Sequence, residues 1–394
     1  MGSTTRLRVA FISFDFGEYC VRLAGALAQH AEVLLVLPHH EVAPYASELN
    51  RSVRLFSFPK PRIRQVIRQF RTIRAILRQV RDFAPDVIHY QGIHLWFDLA
   101  LALLREYPLV LTVHDFKPHP GDQRARQTPA WIERFARRRA DRFIVHAQAI
   151  RRILVEELKI DSAKITVIPH IQIGEQPPAG PDEQQERLVL FFGRIWEYKG
   201  LEYLIRAEPL ISAQVPDVQI VIAGQGEDFS RYARMMLHPE RFIVDNQYIS
   251  RERSAEYFRR ASVVVLPYIE ASQSGVIPMA CSAAKPVVAT TVGGLPEMVE
   301  HGRTGYLVPP RSTGELADAV VRLLLDPSLR REMGRNAKGK IEAECAPKVV
   351  AEKTLAVYRE AVEHGASLSK ASPIRRAVAA LHPERAGEQP DIQQ

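Results

Sequence analysis

The chain has 394 residues, 46% of them apolar and 25% charged, an ordinary water-soluble composition that is too long for one hydrophobic core, so two domains are expected. No run of eighteen apolar residues occurs, no cleavable leader pattern precedes the first strand-like stretch, and Cys20, Cys281 and Cys345 have no ligand-spaced partners, which together point to a cytoplasmic chain without a disulfide framework or zinc site. The net charge of +8 is uneven, with 26 Lys and Arg against 16 Asp and Glu in residues 1–172, so the first half is expected to meet something acidic.

Short β-branched runs alternate with helical patterns along the chain, the mark of parallel sheets covered by helices on both faces. Strands are expected at residues 7–13, 32–38, 53–59, 86–91, 109–114, 142–146 and 165–169. Between the third and fourth, Pro61 to Phe83 reads as one amphipathic helix. Ile63, Val66, Ile67, Phe70, Ile73, Leu77 and Val80 recur at three- and four-residue steps, and Arg62, Arg64, Arg68, Arg71, Arg74, Arg78 and Arg81 carry charge with no acid between Glu48 and Asp82. A stripe of this kind normally packs on a sheet. The arginines are then either simply solvated or set against an anionic leaflet, where each gains about 1 kcal/mol near the surface. The run Phe135-Ala136-Arg137-Arg138-Arg139 extends the same polarity.

Pro177, Pro178, Gly180 and Pro181 then break the rhythm, and strands resume at residues 188–193, 218–224, 241–248, 263–268 and 286–290. The expected organisation is an N-terminal Rossmann-like domain over 1–172, a linker over 173–187 and a C-terminal Rossmann-like domain over 188–346. A helix over 347–364 is expected to pack back toward the first domain, before a loosely ordered tail over 365–394. The fold class is therefore α/β, two tandem doubly wound parallel-sheet domains, with ligands at the carboxyl ends of their strands.

Three segments of the second half carry chemistry. In Phe191-Phe192-Gly193-Arg194-Ile195-Trp196-Glu197-Tyr198-Lys199-Gly200 an apolar strand ends in Gly-Arg, and a Lys follows just before a helix. A guanidinium fork, an ammonium and free helix amides are what a diphosphate needs, although a basic pair can also be no more than solvated surface. The run Ser272-Gln273-Ser274-Gly275-Val276 lies between a strand and a helix, where its amides could form a nest for phosphate or sugar hydroxyls. Gly293-Gly294 ends a further strand, either as a simple turn or as a place of close ligand approach.

Gly-Arg-x4-Lys-Gly, Gln-Ser-Gly-Val, Lys285-Pro286-Val287-Val288-Ala289-Thr290, Val292-Gly293-Gly294-Leu295-Pro296-Glu297 and Gly302-x-x-Gly305-Tyr306-Leu307-Val308 occur in that order. The chain thereby resembles the retaining glycosyltransferases of family 4, whose fold is called GT-B. The resemblance covers the C-terminal domain nearly completely; over the N-terminal domain it rests on the strand pattern, Asp86-Val87-Ile88-His89 and Thr112-Val113-His114-Asp115. It implies a hexosyltransferase-type enzyme of polysaccharide biosynthesis that uses a nucleotide-sugar donor. Arg194 and Lys199 would grip the donor diphosphate and stabilise the leaving group, and His114, unless it is only a core histidine, would approach the donor sugar. Gly193, Gln273, Ser274, Gly275, Val276, Gly294 and Glu297 would line the donor site, and Gly17 would belong to the acceptor and phosphate loop. The family's paired glutamates are absent: their places fall on Ala271 and Met279, so Glu270 is expected to stand in for the first and backbone or Glu297 to take over ribose recognition.

No Asp-x-Asp and no ligand-spaced His/Cys cluster occurs, so neither a metal nor another cofactor is expected and protein cations should meet the diphosphate charge. The expected acceptor is a glycan or a lipid-linked, anionic precursor, reached at the inner membrane face through the arginine-rich helix. Competing readings are a GT-B epimerase or phosphorylase, and a non-catalytic nucleotide-sugar-binding protein. No nucleic-acid partner is expected, because no aromatic-interleaved basic motif accompanies the charge.

Overall fold

The computed structural model describes residues 6–92, 94–114, 129–174 and 187–371. Most of the expected linker, Asp115 and the tail beyond residue 371 lie outside the described residues. The first domain holds β1 (Leu7–Ser13), β2 (Ala31–Pro38), β3 (Val53–Phe58), β4 (Val87–Gln91), β5 (Leu109–Val113), β6 (Arg142–Val145) and β7 (Ile165–Val167). They form one parallel sheet in the order β3-β2-β1-β4-β5-β6-β7. The second holds β8 (Leu188–Phe192), β9 (Gln219–Ala223), β10 (Phe242–Asp245), β11 (Val263–Leu266), β12 (Val287–Thr290) and β13 (Gly305–Val308), ordered β10-β9-β8-β11-β12-β13. Strand order thus reverses between β1 and β4 and again between β8 and β11, the two switch points where doubly wound sheets hold ligands.

Alternation explains the layers. Val9 and Phe11 of β1 enter one core while Ala10 and Ile12 enter the other, so the sheet is covered on both faces. The three cysteines are buried and free. β13 was not expected as a strand; its four residues pair parallel with β12, a run too short to show alternation in sequence.

The basic helix departs from expectation. It spans Val66–Phe83, and the line that faces the sheet is Gln69, Ile73, Ile76, Leu77, Val80 and Phe83. Gln69 is fully buried and donates to Pro61 O at 2.9 Å, closing the segment that precedes the helix. Val66, Ile67 and Phe70, read as part of the packed stripe, instead stand in solvent at 54%, 71% and 67% exposure. The first turn overhangs the sheet, so only the later turns find a core to fill.

The last helix, Pro347–Ala371, runs past its expected end, no proline occurring before Pro373. It buries Val350, Leu355 and Tyr358 in the core that also holds the Gly17–Leu27 helix of the first domain. His89 ties it down, bridging Tyr358 Oη and Thr112 Oγ1 at 2.7 Å each.

Polar contacts join the two domains. Glu297 accepts the amides of Gln148 and Ala149 at 2.7 and 2.9 Å, capping the Gln148–Glu156 helix from the opposite domain. Gln172 donates to Ser282 Oγ at 3.1 Å, Arg251 pairs with Glu48 while lying over the Tyr45 ring, and Glu18 fixes the start of the linker by accepting the Gly174 amide at 2.7 Å.

Two outcomes are expected. Glu297→Ala removes a cap worth about 1 kcal/mol and loosens the contact between domains, seen as a larger radius of gyration in small-angle scattering with unchanged helix content. Burial also holds four imidazoles neutral, with His89 and His170 lowered to about 3, His94 to about 4, and His114 well below 6.5. The unfolded chain therefore binds more protons than the folded one below pH 6.5, and each group costs about 1.4 kcal/mol of stability per pH unit of further acidification. Melting temperature should be flat above pH 7 and fall steeply from pH 6.5 toward 4.

Candidate functional site

The site is built where β8 and β11 diverge. After β8 the chain passes Gly193 (φ 112), whose amide donates to Ala223 O at 3.0 Å, and makes a tight turn over Glu197–Lys199. Gly200 ends that turn at φ 65 and starts the Leu201–Ser212 helix. A side chain there would collide with the Pro267 carbonyl that follows β11, so only glycine lets the two loops close on each other. The Ile269 amide donates to Tyr198 O at 2.9 Å and completes the clamp.

Two buried tyrosines then gather the two cations. Lys199 Nζ lies 3.8 Å from the centre of the Tyr268 ring and 4.9 Å from that of Tyr198. Arg194, exposed, donates from Nη2 to Tyr198 Oη at 3.3 Å. Burial holds the Tyr268 phenol protonated, with its pKa pushed well up. Its oxygen lies 3.2 Å from Ser274 Oγ, which accepts the Val276 amide at 3.2 Å. Arg194, Lys199, Ser274, Gly275 and Val276 are thus brought to one place, and Val276 Cγ2 approaches Gly193 as well. Glu270 follows in the same loop, partly buried. Ser272 Oγ and Gln273 Oε1 are buried without a hydrogen-bond partner among the described residues.

The loop after β11 is flanked by the first domain. Gly294 donates to Ser272 O at 3.1 Å, and its absent side chain makes room for Ala147, whose Cβ would lie 2.6 Å from it. On the other side Ile173 Cδ1 reaches Gly275. Next to Ala147 comes a row of buried imidazoles at the carboxyl edge of the first sheet: His114, His146 and His170, with ring centres 4.8 and 5.2 Å apart in sequence along the row. Tyr19 packs edge-on against His114 and His170, and Phe16 stacks on His114 at 4.1 Å. His146 and His170 spend Nδ1 on the carbonyls of Ile168 and Ile171. Both ring nitrogens of His114 are without a partner among the described residues.

Two expected assignments need correction. Gly17 is not an open phosphate loop: its amide donates to Glu41 Oε2 at 2.7 Å, and a side chain there would strike the Glu41 carbonyl. A carboxylate in that place repels a phosphate. Glu297 spends both oxygens on the Gln148 and Ala149 amides, which leaves it a contact between domains and not a ribose ligand; Gly294 serves the same junction.

Tyr198, Tyr268, His146 and His170 were not singled out from sequence. The histidines had a readable signal, since His114, His146 and His170 each stand within three residues of a strand's end. The tyrosines had none, their importance coming from a turn geometry that brings distant residues together. Among the described residues no group of three or more His, Cys, Asp or Glu side chains is placed to hold a metal ion, and no helix is long and apolar enough to cross a membrane.

Comparison with known proteins agrees with this architecture. Residues 17–171 match the domain described as Glycosyltransferase Family 4, and residues 186–326 match Glycosyl transferases group 1. A D-inositol 3-phosphate glycosyltransferase of Kribbella flavida is 30% identical over 326 residues, covering 74% of this chain and 75% of that protein. The alpha-D-kanosaminyltransferase of Streptomyces kanamyceticus is 28% identical over 290 residues, 68% of this chain and 75% of its own. Among solved structures, sucrose-phosphate synthase from Thermosynechococcus elongatus superposes with a TM-score of 0.69 at 20% identity, covering 90% of this chain and 99% of that one. HepE of Anabaena in complex with UDP-glucose gives 0.63 at 18% identity, with 92% and 100% covered. With matched domains on both sides of the junction and both sheets in the expected order, the chain belongs to glycosyltransferase family 4 and has the GT-B fold.

Proposed function

We propose that the protein is a retaining hexosyltransferase that takes a nucleoside diphosphate sugar as donor and works without a metal ion. The observation that carries this reading is the gathering of Arg194 and Lys199 by Tyr198 and Tyr268 at the β8/β11 switch point. A diphosphate set there meets a guanidinium fork and an ammonium, and these gain strength as charge builds on the departing phosphate. The acceptor oxygen forms its bond to the anomeric carbon on the face from which the nucleotide leaves; the bond from that carbon to phosphate oxygen breaks, and the acceptor proton passes to the departing phosphate. His114, whose ring nitrogens have no partner among the described residues and whose ring is neutral, suits hydrogen bonding to a sugar hydroxyl better than binding of an anion. Glu270 and the Ser272–Val276 segment close the other side. HepE was crystallised with UDP-glucose, which makes that compound the first donor to try.

The acceptor we assign is a lipid-linked, anionic glycan precursor of polysaccharide assembly, met at the inner membrane face. Support comes from the first domain's excess of Lys and Arg and from the exposed arginines of the Val66–Phe83 helix. A non-catalytic binding protein remains the second reading, favoured by Ala271 and Met279 at the places of the family's glutamates.

Screening nucleotide sugars by thermal shift identifies the donor, since a ligand at one hundred times its dissociation constant stabilises by about 2.7 kcal/mol. Release of nucleoside diphosphate that depends on acceptor is expected; tight donor binding without turnover across an acceptor panel would sink the catalytic reading. Arg194→Ala and Lys199→Ala should each lower kcat by about 10²–10³, corresponding to about 2–4 kcal/mol at the transition state, without changing the melting temperature of the unliganded protein. His114→Ala should lower kcat while leaving the affinity for free nucleoside diphosphate unchanged; equal weakening of both would remove His114 from the sugar subsite.

A further inference from the structure

We propose that Val66, Ile67 and Phe70, together with Trp131, form an apolar anchor that enters the acyl boundary of an anionic bilayer at the edge of the molecule where the interdomain cleft opens. The proposal rests on the membrane reading above and adds to it a hydrophobic component and an orientation. It is carried by exposure, placement and charge.

Val66, Ile67 and Phe70 are 54%, 71% and 67% exposed, and Trp131 is 57% exposed. They are the residues that the overhanging first turn of Val66–Phe83 and the start of the Ala130–Arg139 helix leave without a core. Isolated exposed apolar residues are ordinary, but three within one turn on an arginine-rich helix are not.

Their placement follows from the way the helices lie. Trp96, at the start of the Leu95–Ala100 helix, donates to Ile63 O at 3.1 Å, while Arg81 at the far end of the basic helix donates to Leu103 O at 2.9 Å. The basic helix therefore runs beside the Leu95–Ala100 helix and the 3-10 helix Leu101–Leu104 that continues it, start beside start. Arg139 ends the third helix and donates to Leu104 O at 3.0 Å, so that helix runs in the same sense. Helices that follow strands of a parallel sheet begin at the strands' carboxyl ends, which is the edge that carries His114 and the cleft. The anchor thus occupies the rim of the site and not the remote end of the domain.

Charge selects the partner. Arg64, Arg68, Arg71 and Arg74 are exposed and have no carboxylate partner among the described residues. The arginines that do, Arg78 with Asp82 and Arg81 with Glu106, lie toward the other end of the helix. Uncompensated positive charge is therefore concentrated around the apolar tip. Protein interface cores shed charge, whereas exposed Val, Ile and Phe beside arginines on one helix, with a tryptophan at the start of a helix that runs in the same sense, match the layered acyl and headgroup zones of an anionic leaflet. With the tip inserted, a lipid-borne acceptor would present its headgroup at the height of the cleft.

The test uses the full chain with vesicles of phosphatidylcholine and phosphatidylglycerol, against phosphatidylcholine alone, at low and high salt. Wild type should bind the mixed vesicles at low salt and keep part of that binding at high salt, because the apolar component is not screened. Ile67→Ser/Phe70→Ser, both at solvent-exposed positions, should lower partitioning tenfold or more, on the order expected for two side chains no longer buried, with circular dichroism and melting temperature unchanged. Arg68→Glu/Arg71→Glu should act mainly at low salt, and quenching of tryptophan fluorescence by brominated lipid should weaken in Trp131→Phe. Equal binding of wild type and Ile67→Ser/Phe70→Ser at both salts overturns the anchor and leaves charge-driven docking standing. Absence of wild-type binding to either vesicle overturns both. A wild-type dimer that dissociates in Ile67→Ser/Phe70→Ser without any vesicle binding gives the face to a second copy and overturns the proposal.

Discussion

Gly200 lies so close to the Pro267 carbonyl that no other residue can take its place, and the rest of the β8/β11 junction follows from that contact. It draws the turn after β8 against the loop after β11, places Tyr268 under Lys199, and leaves Tyr198 to hold Arg194. The sheet supplies the positions, because its strand order reverses between β8 and β11 and the two loops diverge from a common point. Lys199 is drawn there because the faces of Tyr268 and Tyr198 attract a cation, and Arg194 is held there by the Tyr198 hydroxyl. Loosening the turn would spread the cations and, on the function proposed, remove the preorganisation on which electrostatic stabilisation of a leaving group depends.

The first domain brings a different chemistry to the same junction. Its carboxyl edge is a row of buried imidazoles packed by Tyr19 and Phe16, of which His114 and His170 are kept uncharged by burial. One side of the junction thus gathers an arginine and a lysine, while the other lines up buried imidazoles. Glu297 joins the halves by using the exposed amides of a helix start, a contact that is strong for its size because a carboxylate meets the positive end of the helix.

Much of this was legible in the sequence. Apolar runs alternating with helical patterns gave both sheets, since strands buried on two faces must be continuous and β-branched. Gly193-Arg194 and Lys199-Gly200 marked the turn that the structure places at the β8/β11 switch point, because glycine and cation at a strand-to-helix turn have few structural reasons to coincide. What failed to show was whatever depended on distance in space. Glu297 looked like a ligand residue because nothing in the chain announces the Gln148 amides opposite it. Gly17 looked like a phosphate loop because its crowding by Glu41 comes from a segment more than twenty residues away. Periodicity in the basic helix was real, yet period alone does not tell where the supporting sheet stops, and Gln69 took the buried place that an apolar neighbour was expected to fill.

The helix Pro347–Ala371 returns to the first domain and covers the Gly17–Leu27 helix there. Of the two domains, the one that leaves the ribosome first is therefore completed last. Its apolar flank around Tyr19, Leu23 and Leu27 must wait while the whole second domain is made, on the order of ten seconds or more at ordinary elongation rates. During that interval the nascent chain shows a greasy surface that the finished protein hides, so a chaperone that guards it has a defined place to sit and a defined moment to leave.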